Sequence, residues 1–272
     1  MQHGRPDMAF AHVDDVKMQS GLETTVESIR SGYIRAVSRL ITLVENRHPD
    51  GLAALRVLGP GESRAVVIGI TGYPGAGKST LTNGLIAAYR QVGKKVAVLA
   101  VDTSSPITGG AVLGDRVRMQ DHAGDPHVYI RSMASRGYRG GLARSAGDVV
   151  IVLEAAGYEV ILIETIGVGQ NELDIADVAQ TVVMVVAPGL GDEIQAMKAG
   201  LLEIAHIVVV NKSDLAGADA TVKDLREWCR VVIPATALKG EGVTELVTAI
   251  AAHQSSRDLA RSAKQHAWGL PG

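Results

Sequence analysis

One cysteine, one phenylalanine and two tryptophans are all that this 272-residue chain carries of those residue types. A lone thiol, Cys229, cannot close an internal disulfide, so a disulfide-stapled scaffold and a Cys-rich zinc site are excluded and a reducing compartment is expected. Cys229 itself reads as a small, half-buried hydrophobe. The eight histidines are scattered rather than spaced as a ligand cluster. Charge of one sign is lacking as well: 27 Lys and Arg against 29 Asp and Glu leave a net charge of −2, which offers no global field to nucleic acid or an anionic membrane. Apolar runs such as Val182 to Ala187 fall far below the ~18 residues a membrane-spanning helix needs. The opening residues carry charges and no apolar core of a secretion signal. Together these absences predict a cytoplasmic protein with no nucleic-acid or membrane partner.

What is present is aliphatic and glycine-rich. Hydrophobic residues make up 46% of the chain but aromatics only 3%, and there are 31 glycines, well above the usual ~7%. The length allows one large domain or two small ones at about 150 residues each. From Thr24 to Asn46 the apolar positions Ile34, Val37, Ile41 and Val44 recur at steps of three and four, which predicts a helix ended by Pro49. A short helix over 50–58 is expected before the Gly59-Pro60-Gly61 break. Beyond it, short Val- and Ile-rich runs at 65–71, 95–102, 127–131, 159–164, 181–187, 206–211 and 230–235 alternate with helix-length segments. That rhythm predicts an α/β fold with a mainly parallel sheet and helices on both faces. Ligands of such sheets sit at the carboxyl ends of the strands, and three of these runs end in Asp102, Glu164 and Asn211.

Gly72-Tyr73-Pro74-Gly75-Ala76-Gly77-Lys78-Ser79 fits the phosphate-binding loop pattern G-x-x-x-x-G-K-[ST], placed between an expected strand and an expected helix as the pattern requires. Glycines let the backbone N–H groups of Gly75, Ala76, Gly77 and the residues up to Thr80 converge on phosphate oxygens. The helix start adds partial positive charge. Lys78 is expected to reach the β- and γ-phosphates and Ser79 to ligate Mg²⁺. Asn211-Lys212-Ser213-Asp214 begins 133 positions after Lys78. The Asp214 carboxylate can accept hydrogen bonds from guanine N1–H and the exocyclic amine, which adenine cannot offer. Lys212 can lie on the purine face, and Asn211 can brace the loop. Thr236-Ala237-Leu238 is similar to the element whose backbone N–H contacts guanine O6. The expected ligands are therefore GTP and GDP with Mg²⁺.

Asp102, Asp115 and Glu164 are candidate direct or water-mediated metal partners; helix capping or solvated loop charge is the alternative. Gly167, in Glu164-Thr165-Ile166-Gly167, has an N–H suited to sensing a γ-phosphate, and Gln170 is the candidate for positioning water. The longer arm of Glu164, where G proteins ordinarily have Asp, makes a water-mediated metal contact plausible. Arg116, Arg118, Arg131, Arg136, Arg139 and Arg144 form either a solvated face or a charged surface for a partner or for phosphate. The segment from Pro188 to Gln195 reads equally as a strand-to-helix turn with Asp192 near an N-cap.

Taken together, GYPGAGKST, VDTSSPITGGAVLGDRVRM, RSMASRGYRGGLAR, ETIGVGQNE, APGLGDEIQAMKAG and NKSD resemble the G-protein chaperones of adenosylcobalamin-dependent acyl-CoA mutases. This is the MeaB/ArgK-type family, which includes the human methylmalonic aciduria type A protein. The resemblance implies a SIMIBI-class P-loop GTPase that assists adenosylcobalamin loading and protection of an acyl-CoA mutase, methylmalonyl-CoA mutase or a related one. A cobalamin adenosyltransferase is a further implied partner. The family's third switch would fall at 187–198, with Asp192, Glu193, Gln195 and Lys198 sensing the partner. The expected organisation is an N-terminal tail over 1–23, a helical extension over 24–61, the GTPase domain over 62–254 and a short tail over 255–272. A homodimer through a C-terminal helical arm is implied by the resemblance, although little chain follows the last strand to build that arm. Two other readings are a metallochaperone-type maturation GTPase and a kinase of a transport binding protein.

Overall fold

Strand β5, Thr181–Val186, shows why this chain folds as layers. Its alternate residues Val183 and Val185 enter one apolar core and Met184 and Val186 another, so the strand is buried on both faces and reads as unbroken hydrophobicity. The computed structural model describes residues 21–59, 65–102, 122, 124–134, 141–165, 171–189 and 200–267. Seven strands form one sheet: β1 (Val66–Gly72), β2 (Val96–Asp102), β3 (Val128–Ala134), β4 (Val160–Glu164), β5, β6 (Ile207–Val210) and β7 (Val232–Pro234). Their order is β3-β2-β4-β1-β5-β6-β7 and every pairing is parallel. All seven strands expected from the apolar runs are present, so the fold is α/β with a wholly parallel sheet.

Among the described residues the α-helices are α1 (21–30), α2 (Ile34–Glu45), α3 (Pro49–Leu58), α4 (Lys78–Gln91), α5 (Gly141–Ala155), α6 (Asn171–Asp174), α7 (Leu201–Ile204), α8 (Ala218–Arg226) and α9 (Val243–Ala267). On one face Leu81, Leu85 and Ile86 of α4 and Val243, Leu246 and Ile250 of α9 pack on Ile68, Ile70, Val183 and Val209. On the other, Val222 and Leu225 of α8 cover Met184, Val208 and Val210. Cys229 is half-buried against this second core, and burial raises its thiol pKa. Gly69 lies where a side chain would meet Ile175 at 2.7 Å, so its absence lets Ile175 sit on the strand.

The chain divides into two compact units, residues 1–64 with 147–157, and 65–146 with 158–272. In the first, the single helix expected over 24–46 is two. Gly32 takes a left-handed φ of +73°, and the N–H groups of Gly32 and Tyr33 donate to the carbonyls of Ile29 and Ser28. That is a Schellman ending, which glycine adopts without strain. Val37, Leu40, Ile41 and Val44 form the buried stripe of α2. Pro49 opens α3, where its missing N–H leaves no intrahelical bond unmade. In the second unit α9 runs unbroken past residue 254 to Ala267, where a tail was expected from 255. No helix among the described residues is long and apolar enough to cross a membrane.

Candidate functional site

β1 is the middle strand, flanked by β4 and β5. The chain leaves β1 toward β2 on one side and later crosses from β4 to β5 on the other. This reversal opens a crevice at the strands' carboxyl ends, and the phosphate-loop motif lies there. Gly72 has φ +130°, and a Cβ there would overlap the Val185 carbonyl oxygen of the neighbouring strand. Gly75 (φ +77°) and Gly77 (φ +95°) are also left-handed, and a Cβ on Gly77 would collide with the Asn211 amide. The turn is closed by Ala76 N–H donating to the Tyr73 carbonyl at 3.2 Å. Lys78 begins α4, is 7% exposed, and its Nζ donates to the carbonyls of Gly72 (2.7 Å) and Tyr73 (3.0 Å). The ammonium is thus held inside the loop, facing the same space as the loop's backbone.

One turn of α4 carries the oxygen donors. The Ser79 hydroxyl donates to Glu164 Oε1 at 2.6 Å. The Thr82 hydroxyl is 2.8 Å from Glu164 Oε2 and 3.0 Å from the Lys78 carbonyl. Glu164 ends β4 and is 3% exposed. The next residue, Thr165, returns an N–H to the Ile70 carbonyl. Asp102 ends β2 in register with Ala134, two positions beyond Ala100, which pairs with Glu164. A serine hydroxyl whose proton is committed to a carboxylate keeps its lone pairs for a cation. Hard oxygen donors of this kind suit Mg²⁺ completed by phosphate and water. Among the described residues no group of three or more His, Cys, Asp or Glu gathers as a metal cluster.

The base-recognition side is built by β6 and β7. Asn211 is 3% exposed; its Nδ2 donates to the Ala76 carbonyl at 2.8 Å and its Oδ1 accepts the Ala237 N–H at 3.0 Å. One amide therefore joins the phosphate loop to the Ala237–Lys239 turn. Lys212 has a left-handed φ of +58°. Ser213 and Thr236 share a hydroxyl hydrogen bond at 3.1 Å. The half-exposed Asp214 pairs with Lys239 at 3.5 Å. Leu238 is exposed at the turn's tip.

The structure therefore brings Lys78, Ser79, Glu164, Asn211 and Ala237 into one connected set, with Gly75, Ala76, Gly77 and Thr80 in the loop and first turn and Lys212, Asp214, Thr236 and Leu238 beside them. Asp115, Gly167, Gln170, Asp192, Glu193, Gln195 and Lys198 lie outside the described residues, as do Arg116, Arg118, Arg136 and Arg139. Arg131 is on β3, opposite Leu99 of β2, and Arg144 is in α5. Thr82 and Lys239 were not singled out from sequence. Thr82 lies three residues past the motif's last position, and its helical spacing from Ser79 was the available signal.

A profile described as "Methylmalonyl Co-A mutase-associated GTPase MeaB" matches residues 37–267. The chain belongs to the MeaB family. A Pyrococcus abyssi relative of this MeaB-family chain, described as a GTPase, is 48% identical over 246 residues, covering 86% of this chain and 76% of the relative. The Escherichia coli GTPase ArgK is 36% identical over 250 residues, with 85% and 76% covered. The Caenorhabditis elegans mitochondrial "methylmalonic aciduria type A homolog" is 39% identical over 203 residues, with 69% and 51% covered. The crystal structure of a "LAO/AO transport system kinase" superposes with a TM-score of 0.70 at 28% identity, covering 90% of this chain and 79% of that one. A nickel complex of Helicobacter pylori HypB reaches a TM-score of 0.53 at 13% identity, which speaks to the fold alone. The MeaB-family chain is thus a P-loop GTPase that uses guanine nucleotide and Mg²⁺.

Proposed function

We propose that this GTPase serves as the nucleotide-driven chaperone of an adenosylcobalamin-dependent acyl-CoA mutase, assisting cofactor loading and protecting the loaded enzyme in the cytoplasm. The observation that carries this reading is the match of residues 37–267 to the mutase-associated family. The partner-sensing role belongs to Asp192, Glu193, Gln195 and Lys198, and a cobalamin adenosyltransferase is a second candidate partner.

Turnover on this reading is in-line attack of water on the γ-phosphate. Lys78, already desolvated within the loop, moves its charge from the Gly72 and Tyr73 carbonyls to the β- and γ-oxygens, where a preorganised cation counts most. Ser79 and Glu164 would hold Mg²⁺, with Asp102 and Asp115 as further carboxylate support, and the ion would supply neutralisation of charge on the phosphates. Gly75, Ala76, Gly77 and Thr80 offer N–H groups to phosphate, Gly167 senses its terminal group and Gln170 orients the water. Asn211 fixes the loop against the base site, where Lys212, Asp214, Thr236, Ala237 and Leu238 surround guanine. Intrinsic turnover is expected to be slow and to rise when a partner orders these segments.

The test is co-purification with a panel of cobalamin mutases, with the GTPase rate measured with and without each. Nucleotide-dependent capture of one mutase and an altered rate are expected. No binding and no rate change across the panel overturns the chaperone role while leaving the GTPase intact. The solved structure titled a transport system kinase favours a second reading, phosphotransfer to a protein. Labelled γ-phosphate on a protein rather than as inorganic phosphate would select it.

A further inference from the structure

We infer that Thr82 is a positioning residue for the metal-binding carboxylate, working through Glu164 rather than touching nucleotide. The inference rests on the reading that Ser79 and Glu164 hold Mg²⁺. Ser79 and Thr82 stand at i and i+3 on α4, hence on one face, and that face meets the end of β4. The two hydroxyls take the two oxygens of a single carboxylate, Ser79 at Oε1 and Thr82 at Oε2. Thr82 is fully buried and Glu164 nearly so, so water does not substitute freely for either contact. The Thr82 hydroxyl has one proton and two acceptors within reach, the Lys78 carbonyl and the carboxylate. The carboxylate is the stronger acceptor because it is charged.

The chemistry explains why such an anchor is needed here. Glutamate occupies the place where the shorter aspartate is the ordinary residue of G proteins. Its additional torsion, the terminal χ3, is broad and roughly two-fold, so the carboxylate plane is not set by the backbone. A hydrogen bond to the far oxygen sets it. With Oε2 on Thr82, Oε1 is turned to the Ser79 hydroxyl, which donates its proton there and keeps its lone pairs for the ion. Groups that orient a metal ligand in this way typically alter metal affinity by roughly 10–100-fold when removed.

The experiment compares Thr82→Val, which keeps the shape and removes the hydroxyl, with Thr82→Ser, which restores the hydroxyl. Release of a fluorescent GDP analogue is followed across a Mg²⁺ titration and in EDTA, alongside the Mg²⁺ dependence of GTP turnover. Thr82→Val is expected to raise the Mg²⁺ concentration that half-maximally slows GDP release by roughly tenfold or more, with release in EDTA unchanged. Thr82→Ser is expected to restore the wild-type Mg²⁺ dependence. An unshifted Mg²⁺ midpoint in Thr82→Val, or an equal change in EDTA, overturns the role. If Thr82→Val does not fold, Thr82→Ala in the same titration decides, and a wild-type midpoint there also refutes it. A wild-type protein whose GDP release ignores Mg²⁺ would instead refute the metal site on which the inference rests.

Discussion

Replacing Asn211 by alanine removes two hydrogen bonds from the most connected point of the site. The lost partners are the Ala76 carbonyl and the Ala237 N–H, in residues 1% and 7% exposed, so water does not readily take over. A buried polar group left unpaired costs about 1–3 kcal/mol, and two such groups cost roughly 2–6 kcal/mol. Domains of ordinary stability have about 5–15 kcal/mol to lose, so Asn211→Ala should remain folded at low temperature but unfold at clearly lower urea. The phosphate loop and the 237–239 turn are released from each other by the same change. Guanine nucleotide affinity should therefore fall at least tenfold, which corresponds to about 1.4 kcal/mol. Urea unfolding with linear extrapolation and GDP titration measure the two effects separately. Asn211→Asp is the companion variant. It keeps an acceptor for Ala237 but sets a carboxylate oxygen against the Ala76 carbonyl, so it should be no milder. An Asn211→Ala protein within about 0.5 kcal/mol of wild type, the scale of a neutral surface change, and with unchanged GDP affinity would refute the bridging role.

Gly72→Ala should cost about 3 kcal/mol or more, since the left-handed backbone and the Val185 carbonyl both oppose a side chain. Gly93→Ala, left-handed but with open space around it, should cost only about 1–2 kcal/mol, and thermal melts separate the two. Asp214→Asn should weaken GTP roughly 100-fold and favour xanthosine triphosphate, whose C2 oxygen accepts from the new amide; an unaltered preference in competition binding would contradict the base assignment. His206 and His253 lie against each other with ring centroids 4.2 Å apart and their planes tilted by 47°. The His206 Nδ1 accepts the Val182 N–H and the His253 Nδ1 is bonded to Thr181. Burial and Arg257 lower the His206 pKa, and burial, His206 and Arg257 lower that of His253. The unfolded chain then binds more protons below the ordinary value of about 6.5, so this stability is complete above that pH and is lost as pH falls through the folded values. The melting temperature should drop between about pH 7.5 and about pH 5.5, and less so in His253→Gln; an equal drop in that variant would argue against it.

Legibility followed burial. The seven strands were readable because a parallel sheet buried on both faces concentrates Val and Ile without interruption, and the phosphate loop because its glycines and lysine are adjacent in sequence. The break at Gly32 was hidden because Tyr33 continues the four-residue spacing from Ile29 to Val37 in the sequence, although Tyr33 and Ile34 are both exposed, and only the Schellman bonds mark the stop. The last turns of α9 were hidden for the opposite reason. Beyond Ile250 the helix has little left to bury, and Leu259 is 73% exposed, so periodicity ends before the helix does. Thr82 carries only the weak signal of its helical spacing from Ser79, because its carboxylate partner is 82 residues away; the His206–His253 pair carries none, because no motif spans it.

The bond between Asn211 and Ala76 closes a separation of 135 residues, and that between Ser79 and Glu164 closes 85. Contacts of this kind form only after most of the chain entropy has been lost, and parallel sheets rich in them fold slowly. The site is therefore assembled late, and partly folded chains have no complete place for GTP. Nucleotide added during refolding should raise the stability of the finished protein and slow its unfolding. It should leave the rate of reaching the folded state unchanged.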